Sequence, residues 1–232
     1  MAEKIVGILG GMGPEATVDL FGKIVAATPA GTDQEHLRII IDNNAKIPSR
    51  QAAVLEGGED STPMLVSTAQ NLERAGADFL VMPCNTAHLF YQPIAEAIAI
   101  PMLHIADETV GEALRRFPSL ETVGVLASAA TIKLRLYHER FEARGVKVVS
   151  PSDVEQEAIQ SVIFSVKGGD KGPEVQARVR EVAESLATGG AQLLVTACTE
   201  LPLVLQDGDV SVPVLDPTQC LALAAVRFAR EG

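Results

Sequence analysis

Short apolar runs recur along the chain, each closed by a polar or glycine-bearing turn and followed by a longer stretch of helical character. Ile5 to Leu9, Leu37 to Ile41, Phe79 to Met82, Thr122 to Leu126, Val146 to Val149 and the run ending before Cys198 read as buried strands, because continuous apolar runs of this length suit strands covered on both faces. Shorter strands are predicted at Pro101 to Leu103 and around Pro213. Helices are predicted from Glu15 to Ala27, Thr62 to Ala75, Asn85 towards Ala99, Asp107 onward, Thr131 to Arg144, Ser152 to Val166, Pro173 to Ala187 and Thr218 to Arg230. Strands alternating with helices predict an α/β protein built on mostly parallel sheets.

The pattern repeats. Ala77-Asp-Phe-Leu-Val-Met-Pro-Cys84 aligns with Ala191-Gln-Leu-Leu-Val-Thr-Ala-Cys198, an apolar strand before each cysteine and a polar pair after it. Upstream, Val6-Gly-Ile-Leu-Gly10 resembles Val123-Gly-Val-Leu-Ala127; downstream, Ile100-Pro-Met-Leu-His104 resembles Val212-Pro-Val-Leu-Asp216. Two pseudo-symmetric lobes are therefore expected: residues 1–104 with 212–232, carrying Cys84, and residues 105–211, carrying Cys198. Ligands of open parallel sheets sit beyond the carboxyl ends of strands, so each lobe is expected to bring one thiol to a shared cleft.

Composition narrows the chemistry. A net charge of −11 argues against nucleic acid or an anionic membrane as partner, and an anionic substrate would need local positive charge. The opening Met1-Ala-Glu-Lys-Ile leads straight into a strand without a signal-peptide pattern, and no apolar run is long enough to span a bilayer, so a cytoplasmic protein is expected. Three cysteines read as thiols in such a compartment. No Cys-x-x-Cys or His-x-x-x-His spacing suggests zinc. Cys220, in an apolar helical pattern, reads as a packed core thiol.

Several other positions bear on a site. Gly10-Gly-Met-Gly-Pro14 joins the first strand to the first helix and fits neither the dinucleotide fingerprint nor a phosphate P-loop; it reads as a tight turn or as a loop lining a site. Residues 45–61 have no clean period and read as a long irregular loop, in which Arg50 is placed to grip a carboxylate. Lys167-Gly-Gly-Asp-Lys-Gly-Pro173 reads as a break between helices, a lid bearing a cation or a plain hinge. His88 lies one helical turn after Cys84, where it faces the cysteine or packs. His104 follows a predicted strand; His36 and His138 lie in polar contexts and carry no signal.

Two thiols facing one cleft can form a redox pair, flank a metal or work on opposite faces of one carbon. The last suits pseudo-symmetry: one sulfur removes a proton, the other returns one, and the stereocentre inverts. With each sulfur about 3–3.5 Å from the carbon, the two would lie about 7 Å apart, too far for a disulfide.

Ile8-Leu-Gly-Gly-Met-Gly-Pro-Glu15, Pro48-Ser-Arg50, Pro83-Cys-Asn-Thr-Ala-His88 and Ala197-Cys-Thr-Glu-Leu-Pro-Leu203 closely resemble the pyridoxal-phosphate-independent aspartate/glutamate racemases over nearly the whole chain. The resemblance implies two Rossmann-like lobes, a homodimer, no cofactor, and Cys84 and Cys198 as the acid/base pair. It implies Asn85, Thr86, Thr131 and Thr199 at the α-carboxylate with the Met12 loop alongside, Arg50 and Lys167 as cations for the side-chain carboxylate, and Glu200 within the substrate-binding set. Relatives with a single cysteine act on one enantiomer or decarboxylate malonates, so two cysteines imply reversible racemisation. One departure is Ala197, where the family commonly has glycine; it bears on substrate choice. The expected activity is racemisation of aspartate first, then of glutamate or a broader set. A hydantoin racemase, a maleate isomerase and a non-catalytic dicarboxylate-binding protein are the alternatives.

Overall fold

The computed structural model describes residues 3–230; Met1 and Ala2, on which the reading of the N-terminus partly rests, and residues 231–232 of the expected first lobe lie outside them. The chain divides into two compact units, one running to Glu108 and resuming at Thr218, the other Thr109–Pro217.

The first unit carries β1 (Val6–Gly10), α1 (Pro14–Ala27), β2 (Ile39–Asn43), α2 (Arg50–Leu55), α3 (Thr62–Arg74), β3 (Phe79–Val81), α4 (Tyr91–Glu96) and the start of α5 (Ile105–Arg116). Its parallel sheet has the order β2-β1-β3. Pro14 opens α1 at its first turn, where its missing N–H costs nothing. Val6, Ile8, Phe79 and Val81 pack with Leu20 and Ile24 of α1, and Leu9 and Leu80 with Leu65 and Leu72 of α3. Burial of each such side chain contributes about 1.5–3 kcal/mol.

The second unit carries β4 (Thr122–Ala127), α6 (Ala129–Lys133), α7 (His138–Glu142), β5 (Lys147–Val149), α8 (Asp153–Lys167), α9 (Pro173–Thr188), β6 (Leu193–Ala197) and β7 (Val214–Leu215). Its strands are parallel in the order β5-β4-β6-β7. Residues of α8 and α9, among them Ile159, Ile163, Val179 and Leu186, form its core with Leu126 and Leu194. The last helix, α10 (Pro217–Arg230), packs in the first unit through Leu221, Ala225 and Ala229.

The internal repeat extends to single hydrogen bonds. Leu80 N–H donates to Pro101 O and Leu194 N–H to Pro213 O, both at 2.9 Å; Ala77 N–H reaches Leu72 O and Ala191 N–H reaches Leu186 O, both at 3.1 Å. Asp78 accepts from Ile5 N–H at 2.7 Å, Gln192 from Thr122 N–H at 3.1 Å.

The structure departs from the expected elements in five places. The strand near Pro213 pairs with β6, Leu194 opposite Val214, so residues 212–217 stay with the second unit and only α10 returns to the first; residues 105–108 belong to the first. The strand at 101–103 reduces to one bridge between Leu80 and Met102. The helix expected from Asn85 is a 3-10 turn, Thr86–Phe90, followed by α4, since Pro93 has no N–H for a continuous ladder. The helix expected over 131–144 splits at Arg135, whose φ of 54° ends α6 in the left-handed conformation and leads Leu136 and Tyr137 inward. The irregular loop 45–61 contains α2, capped by Ser49, whose hydroxyl accepts from Ala52 N–H at 3.2 Å.

Candidate active site

In the first unit β1 and β3 pair with Ile8 opposite Val81, so Gly11-Met12 and Pro83-Cys84 leave the same end of neighbouring strands. Gly11 turns with φ of +94°, and a Cβ there would meet the Asn44 backbone at 2.3 Å; only glycine permits that close approach. Thr17, not singled out from sequence, accepts from Gly11 N–H at 2.9 Å and fastens the loop to α1. Met12, Cys84 and Asn85 are buried and Thr86 is half-buried.

Arg50 opens α2. Its Nη1 donates to Ile47 O (3.2 Å) and Pro48 O (2.7 Å), its Nη2 to Met12 O (3.2 Å). The side chain therefore ties the loop before α2 to the Met12 loop. A guanidinium has five N–H donors; among the described residues the buried Nε–H has no partner, which leaves donors for a carboxylate.

His88 engages the backbone of Cys84. Its Nδ1 lies 2.8 Å from the Cys84 carbonyl oxygen, and its Nε2 accepts from Ile105 N–H at 3.1 Å.

In the second unit β4 and β6 run in register to Ala127 opposite Ala197. Ser128 and Cys198 are thus the next residues on adjacent strands, whose axes are about 4.8 Å apart. Cys198 Sγ–H donates to Glu200 Oε2 at 3.0 Å, Thr199 Oγ1–H to the same oxygen at 3.3 Å, and Lys167 Nζ lies 3.8 Å from Glu200 Oε1. Lys167 is the last residue of α8 rather than part of the glycine loop after it. Burial pushes the Cys198 thiol well above the usual cysteine range, the Glu200 carboxylate pushes it further, and Lys167 opposes both. Thr131 Oγ1 and Ser128 Oγ are 3.1 Å apart beside the β4 end.

Two glutamines that sequence reasoning missed brace this end. Gln156 donates to Ala127 O at 3.0 Å, and Gln160 accepts from Ala129 N–H at 3.2 Å. Their spacing of one helical turn on α8, beside Ile159 and Ile163, was the only available signal. Cys220, on α10, is buried as expected of a packed thiol. The first unit thus gathers Met12, Arg50, Cys84, Asn85 and Thr86, the second Thr131, Lys167, Cys198, Thr199 and Glu200.

The sequence model of the Asp/Glu/hydantoin racemases matches residues 9–225, and the chain belongs to that family. It is 30% identical over 226 residues to the broad specificity amino-acid racemase RacX of Bacillus subtilis, with 96% of each chain covered. Among solved structures, an aspartate racemase of Picrophilus torridus is similar with a TM-score of 0.87 at 29% identity, over 97% of this chain and 94% of that one. An aspartate racemase homologue from Pyrococcus horikoshii gives 0.78 at 28% identity, over 98% and 99%. A glutamate racemase from Francisella tularensis, 19% identical with a TM-score of 0.69 over 100% and 83%, shares the fold.

Proposed function

We propose that this racemase interconverts L- and D-aspartate without a cofactor, using Cys84 and Cys198 as bases on opposite faces of the α-carbon. The observation that carries the reading is the matched placement of the thiols: each follows, at the same spacing, a leucine whose N–H bonds the carbonyl of the proline on the next segment. A duplicated scaffold with one proton-transfer group per unit suits a reaction that must treat two mirror-image substrates alike.

In one direction a Cys84 thiolate takes the α-proton. The C–H bond breaks, an S–H bond forms, and the electron pair passes into the α-carboxylate. Cys198 then gives its thiol proton to the other face. Glu200 and burial keep that proton on Cys198 at neutral pH, which suits it to donate first; for the other enantiomer the roles reverse. Asn85, Thr86, Thr131 and Thr199 are the proposed α-carboxylate donors, with the Met12 loop beside them. Arg50, through its remaining donors, and Lys167 are the proposed cations for the side-chain carboxylate, and Glu200 completes the substrate-binding set. Hydrogen bonds and cations preorganised around the developing charge supply the stabilisation of the transition state.

Aspartate is favoured by the similarity to the Picrophilus torridus enzyme. A broader amino-acid range is the second reading, favoured by the 30% identity to RacX. Proton NMR in D₂O without added pyridoxal phosphate, with each enantiomer of aspartate and glutamate in turn, separates them. Loss of the α-proton signal from both aspartates alone is the expected outcome; loss across several amino acids selects the broader reading. No exchange from any amino acid, with the thiols reduced, overturns both.

A further inference from the structure

His88 has no part in the proton transfers proposed above, yet it is 3% exposed and joins two backbone segments. The Cys84 carbonyl can only accept, so Nδ1 carries the proton of the 2.8 Å bond; Ile105 N–H can only donate, so Nε2 is the acceptor at 3.1 Å. One neutral tautomer satisfies both. The ring is backed by His104, with centroids 4.7 Å apart, and His104 by Tyr91 at 4.9 Å. Tyr91 in turn donates to Met102 O at 2.8 Å. The imidazole is therefore a strut between the turn that carries Cys84 and the first residue of α5. Cys198 needs no such strut: its carbonyl accepts from Leu201 N–H within its own turn, at 3.0 Å.

We propose that His88 is a positioning residue for Cys84, fixing the turn through the cysteine's own carbonyl and so aiming the sulfur at the α-carbon. The role rests on the reading of Cys84 as a base. A misplacement of about 1 Å in such a step can cost on the order of 10²-fold in rate, which gives the strut a catalytic consequence beyond packing.

The test compares H88N, whose shorter amide reaches from the Nδ1 position towards Cys84 O, with H88Q, whose longer amide reaches the Nε2 position and Ile105 N–H. Both are assayed with α-protonated and α-deuterated forms of both enantiomers of the amino acid that the wild-type enzyme exchanges. H88Q is expected to lose on the order of 10²-fold in kcat/KM, equally in both directions because enantiomers are equal in free energy. Its deuterium isotope effect should rise for the enantiomer deprotonated by Cys84 and fall towards unity for the other. H88N, which keeps the bond to Cys84 O and gives up the one to Ile105 N–H, is expected to lose less in rate than H88Q and to shift the isotope effects less. An isotope effect is a ratio within one preparation, so partial unfolding of a variant leaves it unchanged. Isotope effects in H88Q that stay at wild-type values or change equally for both enantiomers overturn the proposal, as does an H88N no better than H88Q. A C84A control separates the two readings: racemisation by C84A removes Cys84 as a base, whereas an inactive C84A beside an unimpaired H88Q removes only the positioning role.

Discussion

The turns that present Cys84 and Cys198 start from near-identical strands and are held by different means. Before each cysteine the leucine, the alanine and their backbone partners repeat bond for bond. After it the first unit uses a side chain, His88, on the cysteine carbonyl. The second uses a backbone N–H on the carbonyl and a carboxylate on the sulfur. A duplicated sheet sets where each thiol stands, and in the second unit burial and the carboxylate two residues later set how Cys198 holds its proton. An enzyme for mirror-image substrates can thus be symmetric in placement and asymmetric in chemistry.

Removing either thiol tests the symmetric half of that statement and has the largest expected effect. C84A and C198A should each lower racemisation by on the order of 10²–10⁴-fold, the usual contribution of a positioned acid or base. Each should still exchange the α-proton of one enantiomer with D₂O, C84A of the one that C198A leaves untouched. Polarimetry and NMR on the same samples read both effects. A variant that racemises at the wild-type rate breaks the two-base comparison.

The asymmetric half turns on Glu200. E200Q keeps an acceptor near Cys198 and removes the charge. Hydrogen bonds to charged groups contribute about 1.5–3 kcal/mol, so racemisation should fall about tenfold or more. The Cys198 thiol should also titrate lower, because the carboxylate that raises it is gone. Alkylation of Cys198 at fixed mildly alkaline pH, read by mass spectrometry, should become faster in E200Q and stay unchanged at Cys84. The same shift enters stability. A thiol raised in the folded state above its unfolded value of about 8.5 contributes stability in full below that pH, and the contribution is lost as pH rises through the folded value. E200Q should therefore flatten the alkaline limb of the stability–pH profile. Unaltered alkylation in E200Q would remove the carboxylate's hold on this proton.

Much of this was legible in the sequence because it is carried by local pattern. Apolar runs and the proline repeat gave every strand among the described residues, with one more at 101–103 that the structure reduces to a bridge, and the spacing from Ala77 to Cys84 and from Ala191 to Cys198 gave the repeat. What was not legible depends on contacts distant along the chain. The strand near Pro213 goes with the second unit because of its pairing to β6, which its own few residues do not encode. Arg50 was legible as a cation in the segment before α3, but not its place at the start of α2, nor that three of its donors go to carbonyls, one of them at Met12. His88 was visible as a residue one turn past the cysteine; its bond to the cysteine's carbonyl was not, because the 3-10 turn in which it stands was not separated by periodicity from a longer helix.

Gly7 and Gly124 offer the finest test of the duplication, since they sit at matching places on β1 and β4 and each faces a leucine tip and an alanine methyl, with a third neighbour that differs, the Phe79 backbone oxygen at Gly7 and Leu186 Cδ1 at Gly124. A Cβ on Gly7 would lie 2.5 Å from Leu80 Cδ2 and 2.9 Å from Ala77 Cβ; one on Gly124 would lie 2.5 Å from Leu194 Cδ2 and 3.2 Å from Ala191 Cβ. In each unit the leucine tip can shift, but the alanine methyl is fixed to a backbone whose N–H is held by the end of the preceding helix, at Leu72 O and Leu186 O. Overpacking of this kind costs about 1–3 kcal/mol, partly offset by the roughly 0.4–1 kcal/mol that a Gly→Ala change removes from the unfolded chain's entropy. G7A should therefore destabilise more than G124A, the difference arising from the tighter alanine contact. Urea unfolding gives the size of each effect, and hydrogen exchange at the β1 and β4 amides shows in which unit it falls. Equal losses would mean that the leucine alone sets the fit; a larger loss in G124A would show that the two sheets, alike in hydrogen bonds, differ in how far their alanines can yield.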